Sequence, residues 1–502
     1  MSAASWIVVG VAVAYLAACL VLGTWSSRGG EATTVGYVAG DRSLGLLLLY
    51  FITGATIFSA FAFLGLPGWA YSRGAAAFYI LGYGALGFVP FYFLGPRAAR
   101  VGKARGYVTQ AQMLARRFAS PPLAAVMALV SAVAFVPYLA LQMKGAGMVL
   151  STMSGGAVPE ALGAALVYGV VTLYVLKSGV LGVGWTNTFQ GIFMIALAWG
   201  LGLYLPTLRH GGVGAMFDHL AEARPELLTA PGLTSGGEPW HWGEYSSAIV
   251  VSIIGFSAWP HLFMKAFTAK SVDTIRRTVV LYPTFQVFLL PLFLIGFAGV
   301  GFEPPPEAPD RILPHLLMEL DLSPWLVGLF CAGALAASMS SGDAMVHAVA
   351  SITVRDGWVT ALSRRLTPER ELAAIRALVV VYMLAAYAVA VVYEGSLVFL
   401  LLTAYGAVVQ FMPLLVAALY WPRATGPGAL AGLLGGAALT TLFVAWPDLR
   451  PWPLHAGLYG VALDVLLLVV VSRLTTPTPG AEAFVAEAAG RDAPSAPAAS
   501  AR

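Results

Sequence analysis

Apolar runs of membrane-spanning length recur along nearly the whole of this 502-residue chain. No other feature restricts its fold so strongly. A hydrocarbon core roughly 30 Å thick needs about 20 apolar residues in helix to cross it. About thirteen stretches meet that length: 5–24, 43–71, 75–96, 121–151, 158–177, 184–206, 245–264, 278–302, 322–352, 373–393, 396–420, 426–446 and 453–472. The division between 393 and 396 rests on "YEGS" alone. Composition agrees: 59% of residues are hydrophobic and 10% charged, where a soluble domain carries about 25% charged residues. There is too little polar surface to cover a water-soluble globule, and the expected fold class is an all-α integral membrane protein.

The two cysteines, Cys19 and Cys331, both fall in apolar spans and exclude a disulfide scaffold. The seven histidines show no paired metal spacing. "MSAASW" lacks the basic start of a signal peptide, so the first span is expected to be retained with an N-terminus outside. That orientation puts 21 of the 28 Lys and Arg in inside loops and five in outside loops, with Lys144 and Arg376 inside spans. The positive-inside rule therefore predicts N-terminus outside and C-terminus inside. Residues 475–502, rich in Ala, Pro and Ser, are expected to be a disordered cytoplasmic tail or at most a short frayed helix. In the polar outer segment 207–244, "GAMFDHLAEA" suits a short surface helix.

Two spans carry unusual chemistry. The second contains "GATIFSAFAFLGLPGWAY" from Gly54, with Thr56 and Ser59 near its middle. Irregular backbone at membrane depth is tolerated only where it faces protein or a polar cavity. Freed carbonyls there suit a hard cation, which prefers oxygen. Close packing of small residues is the alternative reading. In the ninth span, adjacent Ser340 and Ser341 follow Ala337 by three and four residues, so one helical turn offers a carbonyl and two hydroxyls. Hydroxyls bonded back to the preceding turn are the alternative there.

Together these segments resemble the sodium:solute symporter family. "ATIFSAFAFLGLPGWAYSRG" is similar to its second helix, and "GYVTQAQMLARRF" (106–118) to its cytoplasmic "GYVT…RF" loop. "PYLALQMKGAG" (137–147) is similar to the helix that follows, and "GVGWTNTFQ" (182–190) to its "G…WT…Q" stretch. "AASMSSGDAMVHAVASITVRD" resembles its sodium-site helix. The resemblance runs in order over about residues 5–475. It implies a LeuT-like core of two inverted five-helix repeats in a transmembrane domain spanning 1–474. The first repeat would be 43–206 and the second 245–420, with an extra N-terminal helix at 5–24 and two extra helices over 426–472. It also implies a sodium site formed by the carbonyls of Ala55, Phe58 and Ala337 and the hydroxyls of Ser340 and Ser341. The proline-transporting branch carries an Asp within the broken segment; here the position is Ile57, so no coupling role for that carboxylate is expected.

Lys144 is the informative charge. An ammonium near the bilayer centre costs about 2.5–3.5 kcal/mol on an insertion scale. With Gln142 it is a candidate for attracting a carboxylate substrate; alternatively it snorkels to the outer interface or caps helix carbonyls. The motif around it resembles the monocarboxylate and pantothenate branches of the family. Gly255 and Pro260 mark the seventh span as a second discontinuous helix or a proline kink. Phe256 and Trp259 are candidate walls of a substrate cavity, with Thr56 and Ser59 opposite. Asp343 and His347, at i and i+4 on one helix face, are candidate inner-gate residues, a structural hydrogen-bonded pair, or a proton relay. Asp464, outside the core, is expected to pair with a neighbour or reach the interface.

The expected function is secondary active transport: sodium-coupled symport of a small organic solute, a carboxylate by the Lys144 reading, into the cell by alternating access. A proton-coupled symporter, or one specific for amino acids or sugars, is the alternative within transport. A transporter-like membrane sensor is the alternative of another class, with only 28 residues after position 474 to hold a signalling domain. No metal spacing, nucleophile elbow or phosphate loop suggests an enzyme. Sodium is the expected coupling ion, with no organic cofactor and no nucleic-acid partner, and composition suggests a bacterial inner membrane.

Overall fold

The computed structural model describes residues 3–25, 33–320, 322–364, 366–393 and 405–491. Among these residues all regular secondary structure is helical; two isolated β-bridges are the nearest approach to a sheet. Among the described residues, nine helices are long and apolar enough to cross a bilayer, or ten if one bent pair counts as a single span. The all-α membrane class follows from the length and apolarity of these helices.

The elements that position the site are α1 (Ala3–Trp25), α2 (Leu46–Ile57), α3 (Leu66–Arg73), α4 (Val89–Arg105), α5 (Pro121–Met153), α6 (Glu160–His210) and α7 (Trp242–Phe256). They continue with α8 (Pro260–Thr268), α9 (Val272–Gly299), α10 (Pro324–Ile352), α11 (Pro368–Val392), α12 (Tyr405–Tyr420), α13 (Gly426–Ala445), α14 (Ala456–Leu474) and α15 (Ala481–Ala489). Short helices join them; the expected surface helix in the 207–244 segment is one, over Val213–Ala223 with Met216 and Leu220 buried.

The difference from thirteen stretches has local causes. Two of them, 158–177 and 184–206, run together as the 51-residue α6, bent at Gly179 with φ 55° and ψ −149°. The stretch 43–71 is interrupted, leaving α2 only 12 residues long. Of the stretch 396–420, only the part from Tyr405 is described, and the "YEGS" division lies outside the described residues apart from Tyr393.

The core is built around α10, buried on every side from Phe330 to Ile352. Its Ala, Gly and Ser residues let neighbouring backbones approach closely. By contrast α11 buries few residues and presents most of its apolar surface outward. At one end of the bundle, Arg42 donates to the carbonyls of Gly102 and Tyr107 (2.9 Å each) and Phe267 (3.2 Å). It thereby caps the last turns of α4 and α8, whose final carbonyls have no partner within the helix. Beside it, the Leu44 amide donates to Thr268 O (3.1 Å) and the Lys270 amide to Leu44 O (2.9 Å).

Within 475–502, where disorder or at most a short frayed helix is expected, the described residues include the short helix α15. Phe484 and Ala488, one turn apart, give it an apolar face that is buried. Arg105 pairs with Glu487 at 2.7 Å and lies over the Phe484 ring, and Arg100 donates to Ala488 O at 3.0 Å. Residues 492–502 lie outside the described residues.

Candidate functional site

The site begins with an orphaned pair of carbonyls. Helix α2 ends at Ile57, and Phe58 leaves helical geometry with φ −78° and ψ 73°. The Ser59 amide, due to bond Ala55 O in a continuing helix, donates instead to Ile57 O at 2.8 Å. The Ala60 amide, due to bond Thr56 O, donates to Gln142 Oε1 at 2.8 Å. The oxygens of Ala55 and Thr56 are thus released by the break. At membrane depth they must be satisfied within the protein.

They are satisfied by α10. Ser340 Oγ donates to Ala55 O at 2.9 Å, and Ser341 Oγ to Thr56 O at 2.6 Å. Both hydroxyls also approach Ala337 O, at 3.1 and 3.5 Å. Ala55, Ala337, Ser340 and Ser341, four of the five expected ion ligands, therefore meet at one buried place. Phe58, the fifth, lies at the break itself; the carbonyl that meets Ser341 is that of Thr56. The break is wedged by aromatics: the Phe58 ring packs on Phe285 (4.9 Å between centroids) and Phe288 (4.4 Å). The Phe285 ring also fills the space where Gly54 lacks a side chain.

Gln142 serves this architecture. Its side chain caps the resumed helix at Ala60, and its carbonyl accepts from Ser338 Oγ at 2.7 Å. The Thr56 hydroxyl bonds back to Ile52 O. Ser59 is buried beside the Tyr138 hydroxyl.

The second discontinuity falls where expected. Helices α7 and α8 meet at a 46° bend, and Gly255 O accepts the amides of Ala258 (3.0 Å) and Trp259 (3.2 Å). Trp259 packs on Tyr138 (5.2 Å), Phe135 (5.3 Å) and Tyr405 (5.4 Å). Tyr138 therefore bridges Ser59 at the first break to Trp259 at the second. Phe256 packs among Tyr83, Phe88 and Tyr282, and Tyr83 in turn meets Tyr405, the ring that packs on Trp259.

Lys144 lies apart from the ion ligands. Its Nζ donates to Tyr393 O at 2.6 Å, at the C-terminal end of α11, and sits 5.2 Å from the Tyr393 ring centroid. This bond is of the kind expected where the lysine caps a helix end. Lys144 also lines a cavity of about 670 Å³ with Trp69, Arg73, Asp310 and Arg311.

Asp343 and His347 share a helix face but bond to different neighbours. Asp343 accepts from Tyr174 (2.7 Å), Thr186 (3.4 Å) and Asn187 (3.4 Å), all on α6. The His347 ring bonds Tyr37 O at 2.9 Å. Sequence reasoning missed Lys265, assigned to a loop; on α8 it is buried, and its charge acts on both Asp343 and His347. Its position five residues after Pro260 in an apolar run was the available signal. Tyr138, Tyr174 and Asn187 carried none, being ordinary residues until distant helices meet.

Comparison with known proteins gives a consistent result. The model of the sodium:solute symporter family matches residues 37–436. The uncharacterised symporter YhjB of Bacillus subtilis strain 168 is 30% identical over 96% of this chain and 99% of its own. A monocarboxylate transport permease protein of Rhizobium johnstonii is 24% identical, over 90% of this chain and 94% of its own. Among solved structures, a Na+-coupled sialic acid symporter in a substrate-bound outward-open state superposes with a TM-score of 0.76 at 18% identity, covering 94% of this chain and 98% of that one.

Proposed function

The chain belongs to the sodium:solute symporter family, and from that premise we propose that it carries a small organic acid into the cell with sodium bound at the first helix break. It is a multi-pass transporter of the cell membrane, not an enzyme. The observation that carries the ion site is the meeting of Ser340 and Ser341 with the two carbonyls orphaned by the break. The ligands we assign are the carbonyls of Ala55, Phe58 and Ala337 with the two serine hydroxyls, and Thr56 O beside them.

Oxygen ligands of a hard cation sit about 2.3–2.6 Å from it. Hydroxyl and carbonyl oxygens now 2.6–2.9 Å apart must separate slightly, and the hydroxyl protons must turn away, for the ion to take their lone pairs. The ion then replaces two hydrogen bonds as the tie between α2 and α10. Sodium couples to solute because that tie differs in strength between the outward- and inward-facing arrangements; equal affinity for both would move nothing.

The solute space we assign lies between the two breaks, bordered by Thr56, Ser59, Tyr138 and Trp259, with Phe256 supporting from behind. A carboxylate is supported by Arg73 and Lys144 at the 670 Å³ cavity, where Asp310 also lies and Arg311 is already paired with Glu160, and by the likeness to a monocarboxylate permease. Lys144 lines the approach, and Gln142 lies buried at the first break, two residues along the same helix. Asp343 and His347, tied to Tyr174 and Tyr37 and faced by Lys265, close the opposite end. The full reading has thirteen crossings with the N-terminus outside, the C-terminus inside, and inverted repeats at 43–206 and 245–420.

Proton coupling is a second reading, favoured by a carboxylate, Asp343, and an ammonium, Lys265, both buried within the bundle. Uptake into proteoliposomes decides between them. We expect accumulation of short-chain carboxylates driven by a sodium gradient, and none driven by a proton gradient alone. Acceleration by the proton gradient without sodium overturns the sodium assignment; uptake of amino acids or sugars but no acids overturns the solute class.

A further inference from the structure

Asp464 on α14 stands outside the site above, and its surroundings differ from the expected pairing. Its side chain is fully buried, and neither carboxylate oxygen has a hydrogen-bond partner. Gln410 on α12 is buried too, and its Oε1 is likewise unbonded. The amide cannot simply be turned over. Its Nε2 faces Thr440 Oγ1 (3.1 Å), Gly406 O (3.4 Å) and Gly457 O (3.5 Å), and an oxygen there would meet two carbonyls.

The glycines of α13 and α14 bring these acceptors together. A side chain at Gly436 would run into Gln410 Oε1, with Gly460 O at 2.8 Å and Asp464 Cβ at 2.9 Å; one at Gly432 would run into Asp464 Oδ1. The space a methyl group would occupy on α13 is thus taken by oxygen atoms. Among the described residues these three acceptor atoms, set along one turn of α13 at Gly432 and Gly436, have no donor, and one group is formally anionic. Among the described residues no basic side chain comes within ion-pair distance of the carboxyl. From the elements packed around it, α12 presents Gln410, α13 presents glycines and Thr440, and α7 meets α14 at Val251 against Gly457. A buried carboxylate with no counter-charge is not a stable end state.

We propose that Asp464 and Gln410 form a second, buried site for a small monovalent cation, a sodium ion or a proton, among the accessory helices α12, α13 and α14. The site reaches the transport core through α12. Val409, next to Gln410, and Tyr405 pack against Gly255, where a side chain would lie 3.3 Å from each. Tyr405 also meets Trp259. The occupant of the Asp464 site therefore bears on the bend between α7 and α8.

The test uses the full chain in lipid nanodiscs and compares wild type with Asp464→Asn, Gln410→Leu and Ser340→Ala. Radioactive sodium binding at saturation and the infrared band of a protonated carboxyl, followed across the accessible pH range with and without sodium, are the two readouts. If the cation is sodium, Asp464→Asn loses one bound ion per chain, Gln410→Leu weakens that ion, and Ser340→Ala keeps it. If the cation is a proton, wild type has a carboxyl band, missing in Asp464→Asn, that comes and goes with pH or with sodium. Unchanged sodium stoichiometry in Asp464→Asn, together with a carboxyl band that is either absent or fixed at every pH, overturns the proposal. Should Asp464→Asn fail to fold, the wild-type titration set against Gln410→Leu carries the same decision. Ser340→Ala, measured alongside, reports separately on the first ion site.

Discussion

At Ser340 and Ser341 a single oxygen is both a hydrogen-bond donor to an orphaned carbonyl and the ion ligand we assign. Replacing either by Ala removes an oxygen without adding bulk to a helix face already built of small residues. With one oxygen ligand fewer, the half-saturating sodium concentration should rise roughly tenfold per serine, about 1.4 kcal/mol of ion binding; a sodium-activation curve of uptake measures it. Ser338→Ala is the internal control, because its hydroxyl serves Gln142 O, and sodium activation should stay near wild type. Lys265→Met removes a buried charge from α8. We expect slower turnover with sodium affinity nearly kept, read as a fall in maximal uptake at saturating sodium. The two serines were legible in the sequence because adjacent hydroxyls one turn after Ala337 need no tertiary knowledge. Thr56 O was not, since which carbonyls a break orphans depends on where each amide goes. Asp343 was visible as a carboxylate, but its partners Tyr174 and Asn187 lie more than 150 residues earlier in the chain, and no local pattern joins them.

At the scale of helices, the elements were legible as apolar lengths, and their interruptions were less so. The break after Ile57 was signalled by Gly54, Thr56 and Ser59, and the bend after Phe256 by Gly255 and Pro260. The bend in α6 was seen only as a division between two stretches, because a glycine in an apolar run reads equally as packing or as hinge. In the structure Gly179 has a positive φ, and a side chain there would lie 2.5 Å from Tyr37 O. Gly179→Ala is therefore expected to be costly twice over: about 1–3 kcal/mol for the backbone conformation, and further for the backbone clash. It should lower the melting temperature of the purified protein clearly, whereas Gly169→Ala in the same helix, where nothing stands within 4 Å of the added methyl, should leave it unchanged. Equal melting temperatures for the two variants contradict the bend.

At the scale of the whole molecule, the proposed orientation rests on where charges collect. Residues assigned to the inside from sequence, Arg42, Arg100, Lys103 and Lys270, line one cavity of about 390 Å³. Arg73, Arg311 and the loop Thr234–Gly237, assigned to the outside, line the 670 Å³ cavity. Residues more than 200 positions apart in sequence but assigned to the same side thus share a cavity. The inverted repeats were not legible in this way, since symmetry of backbone path leaves little trace once each helix has adapted its residues to different neighbours. Both native cysteines are buried, so introduced thiols report on orientation without a cysteine-free background. Ser235 and Lys270 are exposed on the two groups of loops. In intact cells, Ser235→Cys should react with a membrane-impermeant maleimide, while Lys270→Cys should react only after permeabilisation. The opposite pattern would invert the molecule: the 670 Å³ cavity with its three cations would face the cytoplasm, and the direction proposed for the organic acid would reverse with it.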